Sequence, residues 1–566
     1  MHTSDPESSS YDSTIYHAQL ERVHAHLQAR IDDLPTAPTT STPTLIQHAL
    51  ATLPNALPER GLGLQDTTTH LLETICPALM PGQAGPRFYG LITGGVTPAA
   101  QLADILVSSY DPCVQVHWPE ATASVAIENL THSYLLDLLS LPAETFTQNT
   151  ITTGATASNI LGLALGRDWT VSRLQRTRHG REGWSVPEDG LGGVEVDVFV
   201  SDAHASIKKA AAVVGIGRRN VIDLGDREKE EKGYLGCFDL EKLEERLKRN
   251  EGEGRASIVA VSFGEVNTGA IASDTPSVRA LCTTYQAHLH IDAAFGAFAP
   301  LDPSFAQYGA HLALADSITS DAHKWLNVPY DCGLFFSRKI DISAVTGERD
   351  GEMSLFGLTG PGERAPAYLA SGSGKAASNG EDEKVIEFPL VEASKALPSP
   401  LFMNIENSRR FRALPLYASL LSLGKEGYAA LVQRNIAFAR LAESYLRSHP
   451  AFDVLTPAPS PAGIETDQDP WQFRVLNIVL FALSSLAPSR FHTDPDSFLR
   501  ELNQSRECFF TPTVWRGRKA VRMAVSNWMT GLGDGATTGT EAGKGLEESR
   551  DWEVVRRVFE RVARAD

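Results

Sequence analysis

An α/β fold, with a mostly parallel sheet covered by helices, is predicted by three features of this 566-residue sequence. Between residues 150 and 340, strand-like and helix-like patterns alternate, the arrangement that builds parallel sheets through helical crossovers. The strand-like runs near 195, 257, 288 and 333 are β-branched and almost continuously apolar, as in VDVFV at 196–200, which suits strands buried on both faces. The polar, Gly- and His-bearing segments fall just past the strand ends, where open α/β sheets place their ligands.

Composition fits a globular enzyme. Hydrophobic residues make up 42% and charged residues 21%, and the length allows two to four domains. A net charge of −18 disfavours nucleic acid and anionic membranes as partners. The amino terminus, MHTSDPESSSYDST, has neither a basic nor an apolar leader region, and no run approaches the ~20 apolar residues of a membrane span. Six cysteines without CxxC or metal spacing read as reduced thiols, so a cytoplasmic location is expected.

Taken in order, a polar tail (1–15) leads into a helix over Tyr16 to Ile31, with Leu20, Val23, Leu27 and Ile31 at helical spacing. TAPTTSTPT (36–44) reads as a linker. In GPRFYGLITGGVTPAAQLADIL, Gly94, Gly95 and Pro98 mark a turn into a helix; Phe88 and Tyr89 are either pocket residues or ordinary aromatic packing. ITTGATASNILGLALGR (151–167) is a short strand that breaks at Gly154 into an apolar helix, whose first N–H groups and dipole could hold a phosphate. Strand, turn and helix recur over 194–215, and FDLEKLEERLKRN is an amphipathic surface helix. SGSGKAASNGEDEK (371–384) has the composition of a disordered insertion. RVLNIVLFAL reads as a strand, and the terminal helix places Trp552, Val555, Phe559 and Val562 on one face.

The most informative stretch joins LHIDAAFGAFAP (289–300) to DSITSDAHKWLNVPYDCG (316–333). It contains an acid at a strand end (Asp292), small residues (Ala293, Ala294, Gly296) and a His–Lys pair (His323, Lys324). Pyridoxal phosphate (PLP) needs this set: an amine for its aldehyde, a carboxylate for its pyridine nitrogen, and small residues against the flat ring. These two runs closely resemble the group II PLP-dependent amino-acid decarboxylases, which include the aromatic-amino-acid and glutamate decarboxylases.

That resemblance covers most of 85–530 and implies a fold-type I PLP enzyme: a large, mostly parallel sheet domain and a smaller C-terminal α+β domain. It implies that Lys324 carries the cofactor as a Schiff base, with His323 beside it, that Asp292 meets the ring nitrogen, and that Ala294 packs on the ring. SDAHASIKKA resembles the segment whose His stacks on the ring and meets the substrate carboxylate, here His204. The phosphate turn falls on Gly154, Ala155 and Thr156. In FGEVNTGA, Glu265 and Val266 replace the family's threonines, leaving Asn267 as the polar group for the ring hydroxyl. APAYLASGSG resembles the mobile loop whose tyrosine returns a proton to the product, here Tyr368.

The expected domains are 1–118, an N-terminal segment with helices; 119–400, the PLP-binding domain; and 401–566, the small domain. The expected function is decarboxylation of an L-amino acid to CO2 and a primary amine, the substrate aromatic or hydrophobic because no decisive pocket arginine is visible. An aldehyde synthase coupling CO2 loss to oxidative deamination, and an inactive PLP-binding scaffold, are the alternatives. Tyr368 and His204 favour plain decarboxylation, while Ala157, Glu265 and Val266 are departures from the family pattern. No metal is expected. The family's loop arrangement and the long 360–400 segment imply a homodimer with sites at the subunit interface.

Overall fold

The computed structural model describes residues 12–231, 234–338, 397, 399–456, 475–493, 495–532 and 545–564. Tyr368, the 371–384 run and most of the 531–546 insertion lie outside them.

A seven-stranded sheet has the spatial order β1-β7-β6-β5-β4-β2-β3. Its strands are β1 (Gln148–Thr152), β2 (Val196–Val200), β3 (Val221–Asp223), β4 (Ala256–Ser262), β5 (His288–Asp292), β6 (Ser317–Asp321) and β7 (Gly333–Ser337). Strands β2 to β6 pair in parallel, and β7 runs antiparallel between β1 and β6. Every residue of β2, β4, β5, β6 and β7 is buried, so the sheet is covered on both faces. The helix Ala155–His179 crosses it and stops at Gly180, whose φ of 61° suits glycine, with Arg176, Arg178 and His179 in the last turn complementing the dipole.

β6 was not among the expected β-branched runs. Its sequence, SITSD, is polar yet wholly buried, because it borders the buried polar groups beneath the site. A four-stranded antiparallel sheet forms the C-terminal part, in the order β10-β11-β9-β8, from β8 (Phe452–Val454), β9 (Ile478–Leu483), β10 (Thr511–Trp515) and β11 (Arg518–Ala524). The β10–β11 hairpin turns through Arg516 and Gly517, both at positive φ, matching the strand twist. These two architectures are those of a fold-type I PLP enzyme.

The helix Ala413–Ser448, broken at Gly424, joins the two cores: Leu416, Leu420 and Val432 pack with the large sheet, and Phe438, Ala442 and Leu446 with the small one. The 36–44 segment is more than a linker. Thr39 and Ser41 are buried, Thr39 donates to the Arg506 and Cys508 carbonyls, and the helix Pro43–Thr52 begins within it, capped by Thr42. The Thr39 hydroxyl, in a run whose composition looks like a loop, here satisfies carbonyls from the far end of the chain. Arg87 likewise bonds the Glu507 carbonyl and pairs with buried Asp551 at 3.0 Å. Among the described residues no helix is long and apolar enough to cross a membrane.

Candidate active site

Five strand ends and the first turn of the helix Ala155–His179 meet at a cleft of about 330 Å³. Gly154, Ala155, Thr156, His204, Asp292, Ala294, His323 and Lys324, all anticipated from sequence, line it. Asn267 does not. Its side-chain NH2 donates to Glu265 at 2.8 Å and its side-chain oxygen accepts from Thr513 at 2.7 Å, so both ends of the amide are committed elsewhere. Phe88 and Tyr89 are also absent from the lining. Phe88 stacks on Phe509 with centroids 4.7 Å apart, and Tyr89 packs among the small-domain core residues, so packing accounts for both.

Asp292 ends β5. Its Oδ2 accepts from Asn159 Nδ2 at 2.9 Å and its Oδ1 from the Ala294 N–H at 3.3 Å. Burial pushes this carboxyl up, and the Asn159 bond, Lys324 and His204 pull it back down. Lys324 lies on the short helix Ala322–Trp325 that follows β6 directly, and its Nζ is 2.9 Å from Asp321 Oδ2. Asp321 Oδ1 accepts the Ala155 N–H at 2.6 Å, so one carboxylate ties the lysine to the start of the helix Ala155–His179. Asp321, three residues before Lys324, is no candidate in the sequence alone because it stands at the end of β6, just ahead of the short helix.

His204 caps the helix Ala205–Val213. Its Nδ1 is engaged by Ser206, whose hydroxyl lies 2.8 Å away, which leaves Nε2 for a bound molecule; burial lowers its pKa. His323 donates from Nδ1 to the Cys332 carbonyl at 2.9 Å and packs on Tyr330, centroids 4.4 Å apart. Burial also lowers the His323 pKa. Glu265 is buried and accepts from Thr268 and Asn267, shaping the loop after β4. Arg522 on β11 donates to the Val266 carbonyl at 2.8 Å behind that loop.

The Gly94–Gly95 turn presses on the lysine from the other side. A Cβ on Gly94 would fall on the Lys324 carbonyl oxygen, and one on Gly95 would meet the Asn527 amide. Asn327, at φ 55°, closes the same junction: its amide donates to the Trp325 and Ser526 carbonyls and accepts the Trp528 N–H. Gly94→Ala is therefore expected to displace Lys324 and cost ~3 kcal/mol or more of stability, by analogy with overpacked cores. Chemical denaturation of Gly94→Ala beside wild type checks this; an unchanged midpoint contradicts it.

The donor set fits PLP. The start of a 25-residue helix offers N–H groups and a positive dipole end to a phosphate, Asp292 offers a carboxylate to the pyridine nitrogen, and Lys324 is the amine in the cleft. The fold and this site together define a fold-type I pyridoxal-phosphate enzyme. Residues 47–346 match the pyridoxal-dependent decarboxylase conserved domain, and the chain belongs to that family.

It is 23% identical to L-2,4-diaminobutyrate decarboxylase of Acinetobacter baumannii over 361 residues, 63% of this chain and 62% of that protein, so this match spans about three fifths of the relative. It is 22% identical to aromatic-L-amino-acid decarboxylase of Sus scrofa over 475 residues, 81% of this chain and 82% of that protein. The crystal structure of Oryza sativa TDC with PLP and tryptamine shares the fold, with a TM-score of 0.71 at 18% identity, covering 98% of this chain and 99% of that one.

Proposed function

We propose that this chain decarboxylates an L-amino acid with a neutral, aromatic or hydrophobic side chain, releasing CO2 and the primary amine. The observation that carries the reading is the convergence of Lys324, Asp292 and His204 in one cleft. PLP supplies an aldehyde that joins covalently to amines and a pyridinium ring that accepts the electrons left when the carboxylate departs. Lys324 is the amine that would hold the group. Asp292, ionised, keeps the ring nitrogen protonated. His204 presents Nε2 to the substrate carboxylate, and Tyr368 returns the proton to the α-carbon.

The side-chain preference rests on the cleft wall. Ile92, Val266, Phe295 and Tyr330 line it, and among the described residues no arginine does, so an acidic side chain would find no bidentate partner among them. Asp202 and Glu265 also line it, which favours a cationic side chain as the second reading. The decisive experiment incubates holoenzyme with tryptophan, tyrosine, phenylalanine, glutamate and 2,4-diaminobutyrate, reading CO2, amine and peroxide. CO2 with stoichiometric amine from an aromatic substrate supports the first reading; turnover confined to diaminobutyrate selects the second; peroxide in place of amine overturns plain decarboxylation. On the same reading, Tyr368→Phe is expected to shift product from amine toward aldehyde, ammonia and peroxide, and unchanged amine output would remove Tyr368 from the proton step.

A homodimer is part of the proposal. Among the described residues most of the exposed large apolar side chains precede residue 111, among them Leu20, Ile31, Leu50, Leu102, Ile105 and Leu106, and so much exposed apolar surface in one segment favours a partner. The wild type is expected at twice 61.3 kDa by light scattering, and Ile105→Asp at or near the single mass. An active wild-type monomer contradicts the proposal.

A further inference from the structure

Beneath Asp292, through Asn159, runs a buried chain of polar side chains. Asn159 Nδ2 lies 2.9 Å from Asp292 Oδ2, and Asn159 Oδ1 lies 2.9 Å from His290 Nε2. His290 Nδ1 is 2.8 Å from Ser317 Oγ, and the same hydroxyl is 2.9 Å from His288 Nε2. Among the described residues His288 Nδ1 has no hydrogen-bond partner, and Asp316 Oδ2 stands 4.0 Å from it. Asn159, Ser317, His288 and His290 are all at most 1% exposed.

The donors in this chain can be assigned from one end. An ionised Asp292 only accepts, so the Asn159 NH2 must face it and the Asn159 oxygen must face His290. His290 Nε2 must then carry a hydrogen. Burial holds His290 neutral, lowering its pKa to about 3, so its Nδ1 is bare and accepts the Ser317 hydroxyl. The Ser317 oxygen accepts in turn from His288 Nε2–H. His288, also held neutral by burial with a pKa lowered to about 4, keeps Nδ1 bare. Every donor therefore points toward Asp292, and aligned bonds polarise one another.

The helix Ala155–His179 is shaped for these rings. A Cβ on Gly162 would collide with the His290 ring, and one on Gly166 would lie 2.7 Å from His288 Cδ2. Two glycines one helical turn apart thus open niches for two histidines one strand repeat apart. The charged and titratable groups around the chain are His204, Lys324 and Asp321 near Asp292, and Asp316 and Arg279 near His288.

We propose that His290, backed by Ser317 and His288, is a positioning residue that holds Asp292 as an oriented anion for the cofactor's pyridine nitrogen. The proposal rests on the reading of Asp292 as the partner of that nitrogen. Without the His290 donor, Asn159 is free to turn its oxygen toward Asp292, and the carboxylate loses a charge-assisted bond in a buried place.

Two measurements on the full chain test it. Nitrogen-15 spectra of histidine-labelled protein, assigned with His290→Phe and His288→Phe, should show both rings as neutral Nε2–H tautomers across pH 6–8, a range that spans the ~6.5 of an unperturbed histidine. A His290 ring protonated at Nδ1 overturns the assignment. Titration of PLP into cofactor-stripped protein should give a dissociation constant raised ~10-fold in His290→Phe but less than ~3-fold in His290→Gln, whose amide can still donate to Asn159. Equal weakening by both substitutions would mean a packing role and overturn the proposal.

Should His290→Phe not fold, Ser317→Ala decides. It leaves the Asn159 bond intact, which by itself requires the Nε2–H form, so the wild-type tautomer should persist; a ring that switches to Nδ1–H overturns the proposal. Asp292→Asn separates the two readings: unchanged PLP affinity there refutes Asp292 as the ring partner, whereas the tautomer result stands or falls independently.

Discussion

Lys324→Ala is expected to abolish turnover, with a loss of roughly 10^3-fold or more, and to leave no lysine in the cleft for borohydride to fix to the cofactor. The comparison with Lys324→Arg isolates the cause. Arginine can keep a cation beside Asp321, which now sits 2.9 Å from Nζ, so the fold around Ala155 is retained. A guanidinium, always protonated, cannot act as the exchangeable amine. Both variants should therefore be inactive, and only Lys324→Ala should also lose stability. Peptide mapping of the borohydride-treated wild type should place the label on Lys324; a label on Lys208 or Lys209, beyond His204 on the neighbouring helix, would move the attachment there.

Asp292→Asn is expected to lower turnover roughly 10^2–10^3-fold, the range seen when one electrostatic partner of a developing charge is removed. The substitution is close to isosteric, so cavity formation does not confuse it. It replaces an acceptor pair with one oxygen and one NH2, and an NH2 facing Asn159 has no acceptor there. Turnover near wild type would reject the role of Asp292. The same substitution removes a buried carboxyl whose pKa is already raised by burial, so loss of activity need not bring loss of stability.

Much of this site can be read in the chain because its chemistry lies on contiguous turns. Asp292 through Gly296 and Asp321 through Trp325 each follow a strand end, so spelling and position coincide. Gly154 and His204 were found the same way. What could not be read depended on side chains meeting from separate elements. Asn159 looks like one more polar residue in an apolar helix until His290 and Asp292 are seen on its two sides. Strand β6 defied its propensity because serine and threonine there serve buried partners, which no periodicity reveals. Asn267 misled in the opposite sense: it stands beside the cleft in sequence, but the carboxylate two residues earlier takes its amide. The 36–44 segment reads as a linker because the acceptors of Thr39 come from residues 506 and 508.

That last tie has a consequence for synthesis. Arg87 finds its carbonyl partner on Glu507, 420 residues later, and Thr39 finds its own on Arg506, 467 residues later. At ~5–20 residues per second, roughly 20–80 s or more separate the emergence of these groups from that of their acceptors. In the later part of that interval, once β7 has ended at Ser337, the ribosome holds a chain whose large sheet can already form while Arg87 still waits for its partner. The segment around Thr39 and Arg87 is thus made hundreds of residues before the chain that fastens it.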